Sequence, residues 1–133
     1  MRDEAYVLKL CDEVLGRPSV RQHRFPFLRG DSGRTLPVDA FYPDLSLVVE
    51  YRERQHSESV PFFDRRKTIS GVSRAEQRRR YDQRRRDVLP QNGLRLLELS
   101  HADFQCNSRR RLKRNRERDV EVLRNKLRTY AAV

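Results

Sequence analysis

Tryptophan is missing from the chain, methionine occurs once, and only two of its 133 residues are cysteine. Cys11 and Cys106 stand far apart, which fits neither a disulfide framework nor a CxxC metal site and points to a reduced, cytoplasmic setting. No apolar run approaches the roughly eighteen residues that cross a bilayer, and the opening residues lack the layout of a secretory signal. No membrane partner is expected. Phosphate-cradling glycine loops and serine-nucleophile motifs are also absent, and His23, His56 and His101 are scattered without zinc-ligand spacing. Lysine is scarce: only Lys9, Lys67, Lys113 and Lys126 occur among thirty basic residues, so the rest are arginine.

What the chain does have is charge. Charged residues make up 37% of it, the formal net charge is +11, and the pI is near 10.6. A GC-rich genome would explain the preference for arginine over lysine but not the surplus itself. The surplus suits a polyanion, and nucleic acid is the commonest one. The length suits one domain, 1–133, and not two.

Apolar spacing predicts a helix over 2–16, stopped by Gly16 and Pro18. Strands are expected over 20–28, 36–41 and 46–52, with turns at Arg29–Arg34 and Tyr42-Pro43-Asp44. The stretch 54–72 has no period and reads as a long mobile loop or insertion. Ser73 with Glu76 forms a capping-box pattern, opening a helix that runs to about Leu89. A strand over 94–99 follows, and a basic C-terminal helix falls within 108–131. In that helix Val120, Leu123, Leu127 and Tyr130 make a narrow seam fit for a sheet or a partner helix. The expected architecture is a small mixed sheet flanked by helices, with the third and fourth strands parallel because a helix crosses between them.

The informative stretch is Leu36 to Arg52. A two-residue turn at Pro43-Asp44 makes Glu50 the diagonal neighbour of Asp39 on one face; a four-residue turn puts the two directly opposite; an odd-length turn separates them. Carboxylates held that close raise each other's pKa unless a cation lies between them. Oxygen donors of this kind suit Mg²⁺ (or Mn²⁺), and such an ion assists phosphodiester hydrolysis. The plainer reading of the same spacing is a salt bridge from Asp39 to an arginine, with Glu50 solvated at a strand end.

The stretch from Val38 to Leu99 resembles the PD-(D/E)XK nuclease superfamily, in its branch near the very-short-patch repair endonucleases. Val38-Asp39 with Phe41 and Pro43 matches the first acidic motif, and Val48-Val49-Glu50 the second. Gln55-His56 is similar to a pair that often follows it. Tyr81-Asp82, Arg85, Leu89 and Gly93-Leu94 match a helix-to-strand pattern. The resemblance implies a restriction-endonuclease-like αβββαβ core carrying an extra C-terminal helix. It implies a metal held by Asp39, Glu50 and the backbone carbonyl of Tyr51, with Glu4 assisting. It also implies that the usual lysine is replaced by Arg52, leaving Arg52 or Gln55 to complete the catalytic site. The activity implied is that of a metal-dependent DNA endonuclease, with RNA left open as a substrate.

Two arginine clusters are candidates for phosphate contact: Arg78, Arg79, Arg85 and Arg86 on the central helix, and Arg110, Arg111 and Arg114 before the last one. For Arg85 the alternative is a buried ion pair with Asp82 or a sheet carboxylate. Two other readings remain open: a non-catalytic nucleic-acid-binding module of the same fold, and a subunit of a larger complex or a homodimer joined through the Val120–Tyr130 seam.

Overall fold

The computed structural model describes residues 1–53 and 71–131. Helix α1 (Asp3–Leu15) buries Val7, Leu8, Leu10, Cys11 and Leu15 along one side. It ends at Gly16, whose φ of 68° lies in the left-handed region where a glycine pays no Cβ penalty; there the N–H groups of Gly16 and Arg17 close back on the carbonyls of Glu13 and Asp12. Three strands follow, β1 (Val20–Arg29), β2 (Thr35–Tyr42) and β3 (Leu47–Arg52). After them come helix α2 (Arg74–Gln91), strand β4 (Arg95–Ser100) and helix α3 (Arg116–Leu127).

The sheet order is β1-β2-β3-β4. The first two pairings are antiparallel and β3 pairs with β4 in parallel, as a crossing helix requires. Every residue of β3 is buried, because helices cover both faces of the sheet there. On one face α1 and α3 pack on Tyr42, Leu47, Val49, Tyr51 and Leu99. On the other, Leu89 of α2 joins Phe25, Leu28, Val38 and Val48. Strands β1 and β4 form the sheet edges, and β1 carries Pro26 in its middle and a register irregularity between Arg24 and Arg29. Where α2 approaches β1, a Cβ on Gly30 would lie 2.8 Å from Tyr81 Oη, so a larger residue there would have to displace that ring. The same Oη accepts the N–H of Asp31 at 2.9 Å, which fixes the helix over the strand end.

Most elements fall where the apolar pattern puts them. Ser73 Oγ accepts the Glu76 N–H at 3.1 Å, the expected N-cap. The helix it opens continues through Pro90 to Gln91, slightly beyond the expected Leu89, with the N–H groups of Asn92 and Gly93 folding back onto Leu89 and Pro90. The C-terminal helix is shorter than the range predicted for it. Its N-cap is Asn115, whose side chain accepts the Arg118 N–H at 3.1 Å. The residues before it form a hairpin instead, with Cys106 bridging Leu112. The side chain of Asn107 draws in the N–H groups of Arg109 and Arg111 and holds that stretch out of a helix. Of the loop expected over 54–72, residues 54–70 lie outside the described residues. No described helix is long and apolar enough to cross a membrane.

The seam on α3 is committed within the chain. Leu123 and Leu127 are fully buried, and Val120 and Tyr130 pack against the same core as α1. The expected use of that seam by a second copy or a larger complex is therefore corrected: the helix covers its own sheet. Leu123→Ala should cost about 2–5 kcal/mol of stability. Urea unfolding reads this, and the midpoint should not move with protein concentration, as it would if the seam joined two chains.

Candidate active site

Strands β2 and β3 pair through Tyr42↔Leu47, Phe41↔Val48 and Ala40↔Val49. The connection is thus four residues long, Pro43 to Ser46, built from one 3-10 turn and a left-handed Ser46. Continued by one step, this register sets Asp39 opposite Glu50, the wider of the two turns that bring them together. The ladder itself stops at Ala40↔Val49, and side chains take over. Glu50 Oε2 accepts the N–H of Asp39 at 2.6 Å, and Asp39 Oδ2 accepts the N–H of Tyr51 at 2.8 Å. In a strand the N–H and C=O of one residue project to the same edge, so the Tyr51 carbonyl faces the Asp39 side.

The strands also lose their alternation here. Leu36 and Val38 pack on the α2 face of the sheet, whereas Ala40 and Tyr42, of the same parity, pack on the α1 face. Asp39 lies at that change of face. Gln22, which stands opposite it between the pairs Arg21↔Ala40 and His23↔Val38, has a φ of 52°. Non-glycine residues adopt that region at a cost, and such positions concentrate at functional sites.

Glu50 is 2% exposed and is held from three directions. Besides the Asp39 N–H, its Oε1 lies 3.2 Å from Arg52 Nη1 and 3.2 Å from Arg85 Nε. Arg52 also contacts Asp82 Oδ1 at 2.9 Å and Glu98 Oε1 at 2.6 Å. Arg85 donates to the Pro37 carbonyl at 2.9 Å and pairs with Asp82, and Arg86 lies 3.0 Å from Glu98. Burial and the nearby Asp39 push the Glu50 carboxyl up to about 7, against the pull of Arg85 and Arg52. Burial alone would depress the Arg52 guanidinium, but Glu50, Glu98 and Asp82 hold it above its ordinary value.

Glu4, from the first turn of α1, approaches Asp39 from the other side. Burial, the charge of Asp39 and a hydrogen bond to it raise the Glu4 carboxyl to about 8, with Glu53 and Glu50 adding to the effect. At neutral pH Glu4 therefore keeps its proton.

The structure brings Glu4, Asp39, Glu50 and Arg52 to one end of the sheet but divides them into two groups. Glu50 and Arg52 belong to a buried ion-pair cluster with Arg85, Asp82 and Glu98. Glu4 and Asp39 form a separate carboxylate pair. The arrangement differs from the expected shared ion site in that both Glu50 oxygens already have partners within the chain, Oε2 the Asp39 N–H and Oε1 the two arginines. The plainer alternative is inverted too, since Glu50 and not Asp39 holds the arginines. Arg52 faces three carboxylates rather than the Glu4–Asp39 pair. Gln55 lies outside the described residues. Among the described residues no group of three or more His, Cys, Asp or Glu side chains is set to hold a metal ion. What remains for a cation is a pair of carboxylates, a donor set that suits Mg²⁺, which binds through one or two carboxylates and keeps much of its water.

Of the arginines expected to meet phosphate, Arg85 is in the buried ion pair that was its alternative. Arg86 faces Glu98, Arg79 faces Glu76 at 2.9 Å, and Arg114 pairs with Asp3 at 2.9 Å. Arg78 is half-buried on α2, while Arg110 and Arg111 are exposed on the hairpin. Sequence reasoning missed Glu98 and Glu53. Glu98 meets Arg52 because β4 pairs in parallel with Glu50↔Glu98 in register, and no local spacing reveals that register. Glu53 follows Glu50 so closely that proximity alone was a usable signal.

Comparison of the chain with protein-family models, curated proteins and solved structures returned no match.

Two outcomes follow from this electrostatic arrangement. Arg52→Ala should cost about 3–5 kcal/mol, because it strips the shared cation from buried carboxylates; denaturant unfolding measures it. The folded chain keeps the Glu4 proton up to about pH 8, whereas an ordinary glutamate releases it near 4.5. The folded state thus binds more protons across that window, and stability falls as pH rises through it. Thermal midpoints should drop by a few degrees between pH 5 and pH 8, and Glu4→Gln should flatten the slope.

Proposed function

We propose that the chain is a metal-dependent nuclease that hydrolyses phosphodiester bonds in DNA, on a restriction-endonuclease-like fold. The observation that carries this reading is the approach of Glu4 to Asp39, two carboxylates close enough to share a hydrogen bond, with Glu50 and Glu53 nearby. Such an arrangement is costly unless a proton or a cation sits there. The order of helices and strands is the one that the resemblance drawn from the sequence implies. The net charge of +11 suits a polyanionic substrate. The two free cysteines, one of them buried, suit a reducing cytoplasm.

Asp39 and Glu4 would hold Mg²⁺ or Mn²⁺, with the Tyr51 carbonyl on the same side. A bound ion of this type polarises a phosphodiester and lowers the pKa of its water. The remaining residues act on the carboxylates themselves. Glu50 fixes the backbone of Asp39 through its N–H, and Arg52 and Arg85 hold Glu50 in place. Glu50 is then a positioning residue, and Arg52 supports it from beneath.

A second reading has its own observation. Arg52 stands where the resemblance implies a lysine beside the attacking water, and here it is bound to Glu50, Asp82 and Glu98. A nucleic-acid-binding module that keeps the fold without cleaving would show the same contacts.

Incubation with supercoiled plasmid in Mg²⁺ or Mn²⁺ separates the two. The expected result is nicking that EDTA abolishes, that disappears in Asp39→Asn and Glu4→Gln, and that falls about 10–100-fold in Glu50→Gln, the loss typical when a supporting partner of a metal ligand is removed. Salt-sensitive binding with intact plasmid in both metals would sink the nuclease and leave the module.

A further inference from the structure

We propose that the hairpin at residues 105–113 is the element that grips the phosphate backbone, and that it reaches phosphates a few nucleotides from the Glu4–Asp39 pair, so that the ligand is a nucleic-acid polymer and not a small phosphodiester. The nearness to that pair rests on the function proposed above; the grip on a polyanion does not.

The sequence offers two arginine clusters, and the structure separates them. On α2, Arg79 and Arg80 both face Glu76, Arg84 faces Asp31, Arg85 faces Glu50 and Asp82, and Arg86 faces Glu98. Their charge is largely answered inside the chain. On the hairpin, Arg109, Arg110 and Arg111 follow one another at the tip, all exposed. Among the described residues Arg109 and Arg111 make no ion pair.

The hairpin is also built rather than loose. The Lys113 N–H donates to the Gln105 carbonyl at 2.9 Å, the Asn107 N–H to the Arg111 carbonyl at 2.8 Å, and the Arg110 N–H to the Asn107 carbonyl at 2.9 Å. Asn107 Oδ1 accepts the N–H groups of Arg109 at 2.9 Å and Arg111 at 3.1 Å. Arg110 is held at a φ of 62°, where glycine or asparagine would cost less. Such strained backbone positions concentrate at functional sites.

Its root is anchored beside the candidate site. Leu112 is 9% exposed and packs in the α1-side core, and its N–H donates to Asp3 Oδ2 at 3.0 Å. Arg114 pairs with the other oxygen of Asp3 at 2.9 Å and lies over the Tyr6 ring at 4.8 Å. Asp3 directly precedes Glu4, so root and carboxylate pair share one turn of α1. About three residues beyond the Cys106↔Leu112 bridge give the tip a reach of roughly 10 Å. Along one strand of a duplex that is about three nucleotides.

The test is fluorescence anisotropy on a labelled duplex of about two helical turns, in EDTA and over a range of salt. Arg109→Gln with Arg111→Gln is compared with Arg79→Gln and Arg80→Gln, which remove the same charge. The hairpin pair should weaken binding at least tenfold and lower the slope of log affinity against log salt by about two. The α2 pair should move it far less, and both should keep the wild-type thermal midpoint. In competition, the unlabelled full-length strand should lose its advantage with the hairpin variant, while a dinucleotide competes weakly against either protein. Equal losses from the two pairs would reduce the effect to net charge and overturn the proposal, as would no loss from the hairpin pair. A dinucleotide competing as well as the strand at equal phosphate would overturn the polymer requirement. No cleavage is read in EDTA, so an uncut plasmid with a hairpin-dependent salt slope defeats the nuclease alone, and a cut plasmid with an unchanged slope defeats the hairpin alone.

Discussion

A single buried carboxylate organises this end of the molecule. Glu50 is almost wholly buried, so its charge must be answered by the chain. Three groups do so: the N–H of Asp39 from β2, Arg52 from its own strand and the Arg85 guanidinium from α2. Because those groups come from three elements, the cluster ties the sheet to the helix that crosses it. It also sets the height of β2 against β3 at the point where their backbone ladder ends. Buried ion pairs seldom add net stability over an apolar replacement of the same shape, but breaking one is expensive. The cluster therefore acts as a register lock more than as a source of stability.

That lock shapes the neighbouring pair. With its N–H taken by Glu50, Asp39 turns a carboxylate oxygen to the N–H of Tyr51, and the strand changes face at that residue. Glu4 arrives from the first turn of α1 and meets the Asp39 carboxyl. The two carboxylate groups thus differ in character although they sit side by side. One is bound by guanidinium groups, and in the other the Glu4 carboxyl is raised enough to keep its proton.

Much of the fold was legible in the sequence because it rests on local patterns. The apolar spacing of α1, the Ser73 cap, and the parallel pairing of β3 and β4 all came from short-range rules. The closeness of Asp39 and Glu50 was legible as well, once the turn was allowed four residues. What was not legible is which partner each carboxylate takes. Arg52 meets Asp82 on α2 and Glu98 on β4, both far away in sequence, and no spacing rule encodes such contacts. The hairpin was also hidden, because a run of arginines before an apolar seam reads as the start of a helix until the Asn107 side chain captures the backbone.

The outer strand of the sheet carries a quieter lesson. Sheet edges invite other chains to extend them, yet β1 interrupts its row of donors with Pro26, breaks register beside it, and surrounds both with Arg21, Arg24 and Arg29. Two copies meeting edge to edge would set these features against each other, which disfavours extension of the sheet at β1.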